Sequence, residues 1–236
     1  MEKFLYRRML RALTLLGVLF AVLCYLRAAE TGMAAYTAAE APAVVTSLPQ
    51  TGKKQVYLTF DTAMGEDHVA EILAVLRKYR AKASFGILGD WMEEYPDAAQ
   101  AIRKSGMAVF CHSMHHARYV DLSRAEMLED AAAAKAAVET FFGGECRYIR
   151  PPYGAYTQEV AEAMEEAGMR VLLWNRDSED WREDASAEDI LENALRAVAP
   201  GDILLFQTNA AQTAPALEVL LPTLRRMGYE FAQIEN

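Results

Sequence analysis

Residues 56–116, VYLTFDTAMGEDHVAEILAVLRKYRAKASFGILGDWMEEYPDAAQAIRKSGMAVFCHSMHH, decide the fold. Three short β-rich runs, Val56–Phe60, Ala83–Leu88 and Met107–Cys111, alternate there with two longer helical segments, Glu66–Tyr79 and Trp91–Lys104. The alternation continues with helix Arg124–Phe142, strand Tyr148–Arg150, helix Gln158–Ala167, strand Val171–Trp174 and helix Ala187–Val198. Strand Ile203–Phe206, helix Pro215–Met227 and strand Glu230–Gln233 close the chain. Strands joined by crossover helices lie parallel, because a parallel pair needs a connection of about a dozen residues or more. The pattern predicts an α/β fold of seven strands and six helices, either a barrel or a doubly wound sheet. Pro222 is expected to kink or shorten the last helix.

Outward from this core, the chain divides into three parts. Residues 54–236 form the domain, and residues 28–53, small and polar with scattered Pro and Gly, read as a linker. Residues 1–27 carry Arg7, Arg8 and Arg11 ahead of an uncharged run from Ala12 to Leu26, the basic and apolar regions of an export signal. No small-x-small site follows directly, so an uncleaved membrane anchor through residues 9–27 is favoured over a cleaved signal and secretion. The basic side stays in the cytoplasm and the domain faces outward. Cys24 follows Val22 and Leu23 rather than small residues, which argues against a lipoprotein.

The 236 residues carry a formal charge of −9, with 53% hydrophobic and 24% charged residues, which excludes a disordered chain. Five basic residues against Glu2 give residues 1–27 a local +4, so the rest of the chain carries −13. Phosphate backbones would repel such a body, which argues against a nucleic-acid partner and for a neutral or cationic substrate. Oligomeric state is not legible.

In parallel α/β folds the chemistry sits at the carboxyl ends of the strands. Here those ends read Thr59-Phe60-Asp61, His112-Ser113-Met114-His115-His116, Arg150-Pro151-Pro152-Tyr153-Gly154 and Asp177-Ser178-Glu179-Asp180-Trp181. Three of the four His fall within five residues, and His112 and His116 have the spacing of a bidentate metal pair. Arg150 stands on a backbone stiffened by two prolines, placed to pair with a carboxylate.

The motifs TFD, HSxxH, RPPYG and DSxDW, in this order over residues 54–236, resemble those of the polysaccharide deacetylases, the NodB-homology domains of carbohydrate esterase family 4. The resemblance implies a distorted (β/α) barrel with about seven strands, NodB-like. It implies removal of acetyl groups from N-acetylated amino sugars of cell-wall polysaccharide, peptidoglycan or chitin-like oligomers. Asp61 matches the base that takes a proton from the attacking water, and His112 and His116 match ligands of a divalent metal, with zinc the default and cobalt, nickel or manganese alternatives. Arg150 matches the residue that orients the base, Tyr153 an oxyanion donor, and Asp180 with Trp181 the pair flanking the catalytic acid and substrate, Asp177 opening the same motif. Within the family the chain looks most like the peptidoglycan and sporulation-type deacetylases of Gram-positive bacteria.

Two positions depart from the pattern. Thr62 stands where a second Asp would ligate the metal, so Asp67 is the candidate third ligand, with Glu66 next. Gln207 stands where a His would protonate the leaving amine, and an amide cannot titrate. His115, His68 or protonated Asp61 could supply that proton; alternatively, the domain is catalytically impaired and retains glycan binding. Cys111 is expected to be buried with its side chain opposite His112. A Cys111–Cys146 bridge is not expected, since extended geometry separates the two by about 10 Å.

Overall fold

Strand β1, Gln55–Asp61, organises the molecule, with every residue after Gln55 buried. In the computed structural model, which describes residues 44–49, 52–62, 65 and 68–235, this strand pairs with β7 (Ile203–Gln207) and β2 (Ser84–Ile87) and, near its start, with β8 (Glu230–Ala232). The hydrogen-bonded path runs β5 (Arg170–Val171), β4 (Tyr148–Ile149), β3 (Ala108–Cys111), β2, β1, β7, β6 (Arg176–Asp177), with β8 off the path, and every pairing is parallel. The sheet forms the expected distorted (β/α) barrel, NodB-like in form, but with eight strands rather than seven, since β6 was not anticipated and the expected last strand, β8, lies off the path.

Because successive strand residues point to opposite faces, β1 sorts its side chains by parity. Val56, Leu58 and Phe60 enter the large core beneath the helices, where Phe60 stacks on Phe85 and Phe206 of the flanking strands at 5.2 and 5.3 Å. Tyr57 faces inward, in a small cluster with Val45, Phe110, Leu172, Ile203 and Ile234 that fills the base of the barrel. Thr59 and Asp61 continue that inner row upward to the strand's carboxyl end, where both meet Arg150.

The helices are α1 (Val69–Lys78), α2 (Gly89–Glu94), α3 (Pro96–Ser105), α4 (Arg124–Phe142), α5 (Gln158–Glu166), α6 (Ala187–Leu195) and α7 (Thr213–Arg226). Local chemistry explains their limits. Reciprocal capping boxes start α4 (Ser123 with Glu126) and α6 (Ser186 with Asp189). The single helix expected over Trp91–Lys104 is two, since Pro96 forces Tyr95 out of helical geometry and opens α3 in its place. Pro222 does not end α7, which runs on through it to Arg226. The Glu218 carbonyl, four residues back, is the one that Pro222 cannot serve, and it accepts from the Tyr79 hydroxyl at 3.2 Å instead.

Of the strand expected over Val171–Trp174 only Val171 belongs to a strand, β5, and β6 follows separately beyond Trp174 without pairing with β5. Residues 44–48 stitch part of this seam. The Val45 amide donates to Val171 O at 2.9 Å, the Leu173 amide donates to Val45 O at 2.8 Å, and the Leu48 amide donates to Gly201 O at 2.9 Å. A Cβ on Gly201 would sit 2.3 Å from Leu48 O, so only glycine admits this approach. The linker expected over 28–53 therefore does not run free to Lys54, because residues 44–48 are part of the barrel wall.

Residues 1–27, the expected anchor, lie outside the described residues. Among the described residues no helix is long and apolar enough to cross a membrane.

The spacing expected between the two domain cysteines is also corrected. Cys146 precedes β4 rather than extending it, and after Gly143 and Gly144, both at positive φ, the chain curls back. The Cys111 and Cys146 sulfurs lie 2.8 Å apart as free thiols, both in the outer core. Cys111 is buried opposite His112, as its strand position required.

Candidate active site

A cavity of about 440 Å³ opens at the carboxyl ends of the strands, lined by Asp61, His112, His116, Tyr153, Trp174, Asp177, Trp181, Gln207 and Asn209 among others. Its floor is an ion pair. Arg150 Nη1 donates to Asp61 Oδ1 at 2.7 Å, and the guanidinium also donates to Thr59 Oγ1 and the Leu172 and Leu173 carbonyls. Phe110 and Trp174 lie across it at 4.8 and 5.4 Å. Burial pulls the guanidinium below its ordinary value, and the Asp61 charge opposes that shift. A charge this deep is tolerated because its donors are matched and its counter-ion is in contact. Gly86 makes room for the pair: a Cβ there would lie 2.5 Å from Asp61 Oδ1.

His112 leaves β3 with its Nδ1 2.9 Å from Arg150 O. A carbonyl only accepts, so Nδ1 carries the proton and Nε2 presents its lone pair to the cavity, 3.9 Å from Asp61 Oδ2. His116 reaches the same place through a tight loop in which Ser113 (φ 71°) and His116 (φ 54°) are left-handed. The Ser113 hydroxyl accepts from the His116 amide at 3.0 Å, and Asp130 on α4 accepts from the Met114 and His115 amides and the Tyr119 hydroxyl. The two imidazoles meet edge to face at 5.2 Å, with Tyr153 packed on His116 at 4.9 Å. Burial first, and the neighbouring His112 second, lower the His116 pKa to about 4, so it is neutral at physiological pH. Such strain concentrated around one cavity is characteristic of functional loops.

Gln207 is the register partner of Asp61 across the β1–β7 pair, so the two side chains rise from neighbouring strands on one face. Beneath it Asp180 is 4% exposed, and its Oδ2 accepts from the Gln207 amide at 2.8 Å and the Thr213 hydroxyl at 2.5 Å. Asp180 Oδ1 is buried without a hydrogen-bond partner among the described residues. Desolvation raises the Asp180 pKa to about 6 despite those donors. Asp177, also raised by burial, accepts from Trp174 Nε1 at 3.2 Å and from Trp181, leaving the Trp181 ring 61% exposed at the rim.

Other expected participants are elsewhere. His115 turns outward to Asp90 at 3.0 Å, and His68 is the residue preceding α1. Thr62 is buried with its hydroxyl donating to Gly86 O at 3.1 Å and accepting from the Leu88 amide at 2.9 Å, so its oxygen is engaged between strands. Asp67 and Glu66 lie outside the described residues, among which no group of three ligating side chains forms. Thr59, Trp174, Asn209 and Asp130 were not anticipated. Thr59 was within reach, since it sits two residues before Asp61 and therefore on the same face.

Two imidazoles converge beside a carboxylate at the mouth of a parallel barrel and over a buried arginine, the arrangement of a hydrolase site. The chain belongs to the polysaccharide deacetylase family, which it matches over residues 49–172. It is 31% identical to a peptidoglycan-N-acetylglucosamine deacetylase of Bacillus cereus, over 76% of this chain and 68% of that protein. It is 30% identical to a chitooligosaccharide deacetylase of Bradyrhizobium, over 76% of this chain and 88% of that protein. Among solved structures it resembles a family 4 pseudoenzyme from Bacillus anthracis, with TM-score 0.77 and 27% identity over 83% of this chain and 68% of that one. A mutant of that pseudoenzyme with restored enzymatic activity matches equally well, at TM-score 0.77 and 28% identity over 83% of this chain and 71% of that one.

Proposed function

We propose that this chain de-N-acetylates N-acetylated amino sugars of cell-wall polysaccharide, peptidoglycan or chitin-like oligomers, with a divalent metal held by His112 and His116. The observation that carries the reading is the convergence of the Arg150-paired Asp61 carboxylate with both imidazoles on one cavity. The donor set fits such an ion: His112 offers a fixed Nε2 lone pair and His116 is neutral. Zinc suits these ligands and is the default by availability, with cobalt, nickel and manganese alternatives. Asp67, six residues after Asp61 in sequence, is the proposed third ligand. When bound, the metal would activate water and polarise the acetamide oxygen.

The protein's own groups supply the rest. Arg150 holds Asp61 aimed at the cavity, so that it accepts the proton of the attacking water. Gln207 cannot return a proton to the leaving amine, so protonated Asp61, across the strand pair, returns it. Trp181 and Tyr153 offer exposed rings on which a sugar can stack, and Asp177 orients the indole. The domain is carried outside the cell on an uncleaved anchor within residues 9–27, in the setting of the Gram-positive envelope and its sporulation-type deacetylases.

The test is acetate release from peptidoglycan and chitooligosaccharides by the full chain, with zinc or cobalt and with chelator, beside Asp61→Asn. Chelator-sensitive release lost in the variant supports the reading; release indifferent to both overturns it. A second reading, a catalytically impaired domain that binds envelope glycan, is favoured by Gln207 and by the engaged hydroxyl of Thr62. It predicts no acetate and retained glycan binding.

A further inference from the structure

We propose that Cys111 and Cys146 form an intramolecular disulfide that staples the exit of β3 to the entry of β4. Their sulfurs are 2.8 Å apart although the residues are separated by 35 positions, and the two side chains are 0% and 2% exposed. A covalent bond of about 2.05 Å needs the sulfurs to close by less than about 1 Å.

Hydrogen bonds hold the backbone at both cysteines. The Arg150 amide donates to Cys111 O at 2.8 Å, and the Cys146 amide donates to Glu139 Oε1 on α4 at 2.8 Å. Neither thiol serves the cavity. Cys111 and Cys146 belong to the outer core, whereas His112, one residue on, faces the opposite side of the strand. Nor do they make a metal centre, since no group of three ligating side chains forms among the described residues. What remains for two buried, touching thiols is to be joined.

The bond forms by exchange with a disulfide-bearing oxidant, either a small molecule or a thiol–disulfide oxidoreductase. One cysteine displaces a thiol from the oxidant's disulfide, and the second then displaces the other half from the mixed disulfide. Two Cys–SH and R–S–S–R thus become Cys–S–S–Cys and two R–SH. The exposed Gly143-Gly144-Glu145 turn beside Cys146 gives access during folding or on local opening.

The experiment uses the full chain, whose third cysteine, Cys24, serves as an internal reference. The protein is equilibrated in an oxidising glutathione buffer with chelator present, then denatured, alkylated and weighed intact. The proposal expects one alkylated cysteine, Cys24, in the oxidised sample and three after reduction, with Cys24→Ser giving none and two. Melting temperature should be higher by about 5–10 °C in the oxidised state, the difference vanishing in Cys146→Ser and Cys146→Ala. Three alkylated cysteines in the oxidised sample, a bond from Cys24 to Cys111 or Cys146, a glutathione adduct on Cys111 or Cys146, or an unchanged melting temperature would overturn it. The mass measurement on the unsubstituted chain decides even if both variants fail to fold.

Discussion

Arg150 and Asp61 are 89 residues apart in sequence and 2.7 Å apart in space, exposed by 0% and 2%. Arg150 is enclosed and Asp61 meets only the cavity, so each charge is compensated chiefly by the other. Replacing Arg150 with Met strands the carboxylate and is expected to cost about 3–5 kcal/mol in urea unfolding. Adding Asp61→Asn should recover part of that loss, because the remaining partner is then neutral. A double variant no better than Arg150→Met would show that packing of the guanidinium on Phe110 and Trp174, rather than charge, is what matters.

The orphaned oxygen of Asp180 gives a pH dependence with a definite sign. Its pKa is raised from 3.8 to about 6 on folding, chiefly by burial. Between those values the folded state holds a proton that the unfolded state has released. The associated stability is therefore full below pH 3.8 and is lost as pH rises through about 6. Asp180→Asn keeps an acceptor for Gln207 and Thr213 without the charge. It should stabilise the fold by about 1–3 kcal/mol at neutral pH, with no gain at the acid end, in denaturant melts at the two extremes.

At position 207 the expected outcome concerns rate. Gln207→His places an imidazole on the cavity wall beside Asp61 and above Asp180, which can accept its second N–H. The turnover number for acetate release should rise by about 10²-fold or more, and activity should gain an alkaline limb as the imidazolium deprotonates. A variant that binds glycan and metal normally but gains no activity would mean that the acid was not the missing part.

The seam predicts a stability effect outside the cavity. Val45 is 7% exposed and bridges Leu172, while Ser47 bridges Asp202. Val45→Asp buries a charge against Leu172, Ile203 and Ile234, and should lower stability by about 2–4 kcal/mol in thermal or urea unfolding. An unchanged melting curve would place residues 44–48 off the barrel in solution.

The parts of this molecule that were legible in sequence are those governed by period and order. Alternation along Val56–Asp61 exposes both the parallel strand and the inward row that ends at Asp61, and the four motifs fall at strand ends because βα loops carry them. What was not legible depended on contacts without a pattern. Thr62 reads as a failed ligand until the Gly86 carbonyl and Leu88 amide are seen on either side of its hydroxyl. Residues 44–48 have the composition of a tether, and only the gap between β5 and β6 makes them wall. The cysteine pair was misjudged because an extended chain was assumed from Cys146 to Arg150, whereas β4 starts only at Tyr148. Asp130 hides in an alanine-rich helix and gains its meaning from three donors on another loop.

The small cluster at the base of the barrel joins Val45, near the start of the described chain, to Ile234, near its end. Closing it means bringing together segments separated by nearly the whole domain, a contact with a high loop-closure cost. The base of the barrel is therefore expected to close late in folding, once the strands between the two segments have assembled.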